Sequence, residues 1–426
     1  MPSAVTICFP FVGDLVGGSH ISASSLIAKI DQQRYAPLVI VQNPQGIIAR
    51  LFADRGIAVE AIPASISLQH GRRVGPLRAL ELARGAIPLA RFLRKRQVAI
   101  VHSNDGRTHA TWALAARLAG AQLLWHHRGA PDALGLRMVA PLLANRVVAV
   151  SHFAGDQAGG LRRRLRTDVV HSPFDTSIQC DRWAARQAIL ELINAPPTAN
   201  LVGFSGVLIG RKRPLLFVDA IAALRRVAPE LDARGVLFGE ALDGMDAQVA
   251  DRARRQGIGD AIHLMGFRTP GAFWLAGCDL LMVPAIDEPF GRTLIEAMLV
   301  ETPVVATASG GNVEAIRDRE TGRLVPPEDA QALADACATL LRDPAMMEGI
   351  GPKCRALQEK LVEMTDQGQM TGENESVIAV CIGLQAITPR GIDMPVAASA
   401  EIHSPSRHGR LAIAKRPAGI ERPPRI

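Results

Sequence analysis

The 426-residue sequence predicts an α/β fold of two doubly wound domains that face each other across a cleft. Three observations lead there. Short apolar runs alternate with helical stretches along most of the chain, the pattern of a parallel sheet covered on both faces. The alternation pauses once, at NAPPTAN (Asn194–Asn200), and then restarts. Glycines and charged residues gather in the loops after the strands, where doubly wound sheets hold their ligands.

The first unit opens with the strand AVTICFPFV, the loop GDLVGGSH and the helix ISASSLIAKID. APLVIVQN is the next strand, GIIARLFADRG a helix ending at Gly56, and IAVEAIP a third strand. VAIVHSND, the helix RTHATWALAARLAG, the strand AQLLWHH and the strand-to-turn RVVAVSHFAG follow. The second unit starts near residue 198 with LVGFSGV, the loop LIGRKR and the helix PLLFVDAIAALRRVA. GVLFGE, AIHLMGF, DLLMVPA and TPVVATA are its further strands, and AQALADACATLLRD continues as helix. The boundaries are residues 1–180 for the first domain, 181–200 for a linker and 201–365 for the second domain. Residues 366–426 form an atypical tail, rich in Pro, Arg, Ser and Gly. No Phe, Trp or Tyr follows Phe290, so the tail is expected to be disordered apart from a short piece at VIAVCIGLQAI.

Hydrophobic residues make up 48% of the chain, enough for large cores, and the formal net charge is +7. A basic chain meets nucleic acid, an anionic membrane or phosphorylated substrates. Nucleic acid is not expected, because the arginines are not interleaved with aromatic stacking platforms. The six cysteines stand in no metal-ligand spacing and read as buried thiols of a reducing compartment. The start has no basic region ahead of its apolar run, so no cleavable signal is expected. No apolar run reaches the roughly 18 residues that span a bilayer. His70–Gln97 holds seven arginines and one lysine against one glutamate, with Leu82, Ala86, Leu89 and Leu93 at helical spacing. A basic amphipathic helix of this kind can rest on an anionic membrane. Pro76 and Pro88 are expected to interrupt it.

The chemistry gathers at EPFGRTLIEAM, Glu288–Met298, which follows the strand-like DLLMVPAID. If a helix begins at Phe290 or Gly291, the amides of Gly291, Arg292 and Thr293 point out of its start and form an anion site. Gly291 lets the backbone approach the ligand closely. Glu288 stands before this site and Glu296 after it. Eight residues cover about 12 Å of helix rise, less where part is loop. That is the span from the sugar to the ribose of a nucleotide diphosphate sugar. The loop Arg211–Arg213 offers cations for a diphosphate. ASGGNVEAI adds a glycine pair and Glu314, and VGGSH is a weak phosphate-loop signal lacking the full dinucleotide fingerprint.

These residues resemble the retaining GT-B glycosyltransferases of family 4, whose Glu–seven residues–Glu motif is EPFGRTLIE here. FSGVLIGRKRPLLFVDAIA, GVLFGE, IHLMGF, TPVVATASGGNVEAI and ETGRLVPPEDAQALADACATLLRD stand around it in the family's order. The first half resembles the acceptor domain through VGGSHISASSLIAKI, VHSND, LLWHHRG, AVSHFAGDQ and HSPFD. The likeness covers roughly residues 4–360. It implies a GT-B architecture of two Rossmann-like domains, and sugar transfer with retention from a nucleotide diphosphate sugar to a glycan or lipid-linked acceptor. Glu288 would hold the transferred sugar, the Phe290–Gly291–Arg292–Thr293 amides the phosphate, and Glu296 the ribose. Arg211 or Lys212 would sit on the diphosphate, with Gly17 and Gly18 at the cleft. His126 matches a family histidine near the reacting carbon, and Arg128 follows it at the usual offset. His126 and Glu288 are the expected catalytic residues.

No metal or other cofactor is expected, since no Asp–any–Asp triplet occurs. The expected location is cytoplasmic, with the inner membrane face as an alternative through residues 70–97. Two features depart from the family: Val207 stands where Arg is frequent, and no aromatic-bearing segment crossing back to the first domain is found after Leu361. The tail reads as a divergent replacement or a shifted reading frame. Rival functions are an epimerase of the same fold and a non-catalytic nucleotide-sugar binder. A dehydrogenase is disfavoured by the missing glycine fingerprint.

Overall fold

A computed structural model describes residues 4–14, 16–62, 75–156, 167–172, 174–343, 345, 349 and 351–356. The first lobe holds β1 (Val5–Phe11), β2 (Tyr35–Val41), β3 (Val59–Ala61), β4 (Ile100–Ser103), β5 (Gln122–His127), β6 (Arg146–Ala149) and β7 (Thr167–Val169). The second holds β8 (Asn200–Ser205), β9 (Ala233–Phe238), β10 (Ile262–Gly266), β11 (Leu280–Val283), β12 (Val304–Thr307) and β13 (Arg323–Val325). Their orders are β3-β2-β1-β4-β5-β6-β7 and β10-β9-β8-β11-β12-β13. Every pairing is parallel, for example Val5↔Tyr35 through Phe11↔Val41 and Asn200↔Ala233 through Ser205↔Phe238. Central strands such as β4, β11 and β12 are buried along their whole length, as expected for sheets covered on both faces. The chain is therefore a pair of doubly wound, Rossmann-like units.

In each sheet the strand order reverses beside the first strand. The crevice opens there, outside the carboxyl ends of β1 and β4 in one lobe and β8 and β11 in the other. The loops GVLIGRKR and PAIDEPFG leave β8 and β11 at that point. Sheet topology thus brings the basic loop and the first glutamate together.

The stretch 181–200, read above as a linker, carries the helix Arg182–Ile193. Asp181 caps it by accepting from the Ala184 amide, and Asn194 ends it in the left-handed conformation. Ile189 and Leu190 pack with Leu201, Val236 and Cys278 of the second lobe. Arg186 grips both Asp279 oxygens at 2.8 and 2.7 Å.

The basic segment is a helix over Pro76–Lys95 that contains Pro88, so the proline does not interrupt it. A helix-interior proline costs about 3 kcal/mol. Burial of Leu82, Ala86, Leu89, Ala90 and Leu93 outweighs that, at roughly 2 kcal/mol for each leucine. The helical repeat of Leu82, Ala86, Leu89 and Leu93 is therefore the face packed on the lobe's own core, not a membrane face. Leu77, Leu80 and Ile87 are exposed instead, at 80%, 50% and 47%. Residues 70–74 and the tail 366–426 lie outside the described residues. No helix among the described residues is long and apolar enough to cross a membrane.

Candidate functional site

The loop after β11 turns sharply before its helix. Gly291 adopts φ +74°, a conformation that glycine accepts without strain, and Asp287 adopts φ +49°, which aspartate tolerates in turns. Gly291 is the N-cap, and the helix runs Arg292–Leu299. Its hydrogen bonds begin with the Leu294 and Ile295 amides donating to the Gly291 carbonyl. The Arg292 and Thr293 amides precede that first bond, at the positive end of the helix.

Glu288 lies just ahead, only 7% exposed. Arg211 Nη1 and Lys212 Nζ both donate to its Oε2, at 2.6 and 3.0 Å. The Ile286 amide donates to the Arg211 carbonyl at 3.1 Å, tying the two loops by their backbones. Burial alone would raise the Glu288 pKa, but Lys212 and Arg211 outweigh it and hold it at about 2. The carboxylate is charged at neutral pH, with both cations directed at one oxygen.

The glycine pair of ASGGNVE braces this loop. Gly310 has φ +61°, and a Cβ there would lie 2.4 Å from the Glu288 carbonyl oxygen. The Gly311 amide donates to that same oxygen at 2.6 Å. Glu314 reaches the other lobe, where the His152 and Phe153 amides donate to it at 2.9 and 2.7 Å. It thereby caps the short first-lobe helix His152–Gly155. Ser151 donates from its hydroxyl to the Pro289 carbonyl. The Phe290 ring stacks on His171 at 5.0 Å and meets Phe174 at 6.2 Å.

Arg292, the first residue of the helix Arg292–Leu299, joins three partners. It donates to Glu296 Oε1 at 2.9 Å and to Ser22 Oγ at 2.8 Å, and its guanidinium lies 4.4 Å from the Phe174 ring centroid. A Cβ at Gly18 would fall 2.8 Å from Arg292 Cδ, so the bare glycine admits the arginine stem. Gly17 caps the helix Gly18–Ala28, and its amide donates to His20 Nδ1 at 3.1 Å.

In the first lobe, buried histidines cluster at the carboxyl ends of β4 and β5. His126 and His102 stack with 4° between their planes, and His102 Nε2 lies 3.1 Å from His126 Nδ1. Arg128 Nη2 is 3.4 Å from the same Nδ1, and its Nη1 donates to Ser172 Oγ at 3.0 Å. Burial, then Arg128, pushes His102 down to about 3, and the same two causes push His126 well below the usual imidazole range. His126 Nε2, His102 Nδ1 and Asn104 Oδ1 are buried without a hydrogen-bond partner among the described residues. No group of three or more His, Cys, Asp or Glu among the described residues is arranged to hold a metal ion.

Glu288, Arg211 and Lys212 thus meet at one point, and Gly18, Arg292 and Glu296 at another. Sequence reasoning did not find Ser22, His102, Ser151, Phe174 or Glu314 in their contact roles. The motifs VHSND, VSHFAG and HSPFD contain three of them, but nothing in their spacing tells which atoms they meet.

Residues 199–343 match the family described as glycosyl transferases group 1. The D-inositol 3-phosphate glycosyltransferase of Kribbella flavida is 33% identical over 195 residues, covering 44% of this chain and 45% of that protein. A lipopolysaccharide core biosynthesis mannosyltransferase of Rhizobium meliloti is 30% identical over 38% of this chain and 46% of its own length. The chain spans about half the length of the curated relatives it matches. Among solved structures, Anabaena HepE in complex with UDP-glucose superposes with a TM-score of 0.71 at 23% identity, over 87% of this chain and all of that one. Sucrose-phosphate synthase of Thermosynechococcus elongatus gives a TM-score of 0.63 at 21% identity, over 87% of this chain and 98% of that one. The chain is related to the group 1 glycosyl transferases and has their two-domain GT-B fold.

Proposed function

We propose that this relative of the group 1 glycosyl transferases moves a sugar from a nucleotide diphosphate sugar to a glycan or lipid-linked acceptor, with retention at the anomeric carbon. One observation carries the proposal: Arg211 and Lys212 converge on the buried Glu288 directly ahead of the helix start at Gly291. A diphosphate there draws both cations from Glu288 and accepts from the Arg292 and Thr293 amides. Glu288, released, accepts from hydroxyls of the transferred sugar, and Glu296 from the ribose. Negative charge grows on the leaving diphosphate as the bond to the anomeric carbon breaks. Fixed donors and cations lower the barrier by meeting that charge. His126 donates to the donor sugar from the opposite lobe. Gly17 and Gly18 shape the loop that faces it.

The similar proteins guide the choice of substrates. HepE is described with UDP-glucose, so UDP-sugars stand first in the donor panel. The lipopolysaccharide enzyme supports a lipid-linked acceptor. A membrane contact would use the exposed Leu77, Leu80 and Ile87 with neighbouring arginines of the helix Pro76–Lys95, at the cytoplasmic face. The test is an NMR assay of UDP-, GDP- and ADP-sugars with glycan and lipid-linked acceptors, following the anomeric coupling of the product. A product that keeps the donor's configuration is expected. Donor conversion without acceptor, or an inverted product, would contradict the proposal.

A further inference from the structure

The stacked pair His102–His126 allows one assignment of protons. An arginine guanidinium only donates hydrogen bonds. Arg128 Nη2 faces His126 Nδ1 at 3.4 Å, so that nitrogen carries no proton. His102 Nε2 lies 3.1 Å from the same Nδ1 and must supply the hydrogen between the two rings. His126 then bears its single proton on Nε2, and His102 has a bare Nδ1. Within this pair, these are the two nitrogens that are buried without a partner among the described residues. Both residues are almost wholly enclosed, at 2% and 0% exposure, so neither ring is free to reorient in solvent.

We propose that His102 is a positioning residue that holds His126 in a single tautomer, with its Nε2–H as a fixed hydrogen-bond donor toward the ligand. A ligand meeting His126 therefore presents an oxygen that accepts, such as a sugar hydroxyl or a phosphate oxygen. His126 does not take a proton at Nε2, which excludes it as a general base through that atom. Burial and Arg128 keep both rings neutral, consistent with this assignment. The tautomer follows from the geometry alone, and its effect on turnover rests on the function proposed above.

The experiment is nitrogen NMR on protein labelled at its histidines, with His126 assigned from its loss in His126→Gln. The wild-type spectrum is expected to show His126 protonated at Nε2 and bare at Nδ1. Protonation at Nδ1 would overturn the proposal whether or not sugar transfer is ever detected. His102→Gln keeps an N–H near the position of Nε2 and should preserve both the His126 pattern and turnover. His102→Leu removes that donor; it should give a mixed His126 tautomer and about tenfold lower turnover, the size of one hydrogen bond. A Leu variant with unchanged His126 signals, or a Gln variant as impaired as Leu, would refute the role of His102. If the wild-type tautomer is as expected but no donor is turned over, the proposed function fails while the tautomer lock stands.

Discussion

Replacing Glu288 by glutamine keeps the side chain's shape and removes its charge. The Glu288 pKa falls from 4.5 to about 2, which corresponds to roughly 3 kcal/mol in favour of the charged form. That attraction is shared between Arg211 and Lys212, the two cations proposed to grip the diphosphate. In the wild type a phosphate must compete with the carboxylate for them. In Glu288→Gln it does not, so a nucleoside diphosphate alone should bind as well as before or up to about tenfold tighter, half of that attraction. The sugar nucleotide should lose its advantage over the bare diphosphate, because the acceptor of its hydroxyl bonds is weakened. Turnover should fall about a hundredfold or more. Titration calorimetry with matched pairs, such as UDP and UDP-glucose, reads the first two effects. Equal weakening of both ligands would refute the assignment of Glu288 to the sugar. The same pair gives a pH signature. A depressed carboxylate contributes stability that is complete above its unfolded value of 4.5 and disappears as pH falls toward 2. Wild-type and Gln melting curves should therefore differ at neutral pH and converge in acid.

Glu296→Ala should weaken nucleoside diphosphate and sugar nucleotide alike, by about tenfold, since the ribose is common to both; calorimetry separates this from the Glu288 signature. Gly310→Ala forces a side chain into φ +61° and within 2.4 Å of the Glu288 carbonyl oxygen; a loss of more than about 2 kcal/mol is expected in denaturant unfolding of the second lobe. His102, His109, His126 and His127 are held below 6.5 chiefly by burial. Their contribution to stability is complete above pH 6.5 and is lost as pH falls below it, by about 1.4 kcal/mol per pH unit for each imidazole that stays neutral in the fold. Thermal scans from pH 7 to 5 check this, and His102→Gln should show a shallower decline.

The two sheets were legible because their strands are short apolar runs separated by helices, and NAPPTAN marks the restart. The sequence placed the loops of Arg211–Arg213 and Glu288 after strands, but their meeting depends on β8 and β11 being neighbours at the switch point, which only the sheet order shows. The helix Pro76–Lys95 was harder. Its leucine repeat reports an amphipathic face but not which surface that face meets, and Pro88 is overridden by burial that local propensity does not register. The contacts of Glu314 with His152 and Phe153, and of Arg292 with Ser22, join residues more than 150 positions apart. No local spacing encodes them. The His102–His126 pair depends on the register of β4 against β5, which sequence alone leaves open.

Occupation of the helix start at Arg292 by a nucleotide sugar is tested most directly by thermal shift with UDP-, GDP- and ADP-sugars on the wild type and on Glu296→Ala. At least one sugar nucleotide at about a hundred times its dissociation constant should stabilise the wild type by roughly 3 kcal/mol, several degrees in melting temperature, and the variant much less. A wild type that no sugar nucleotide stabilises, or a variant that responds equally, would contradict it.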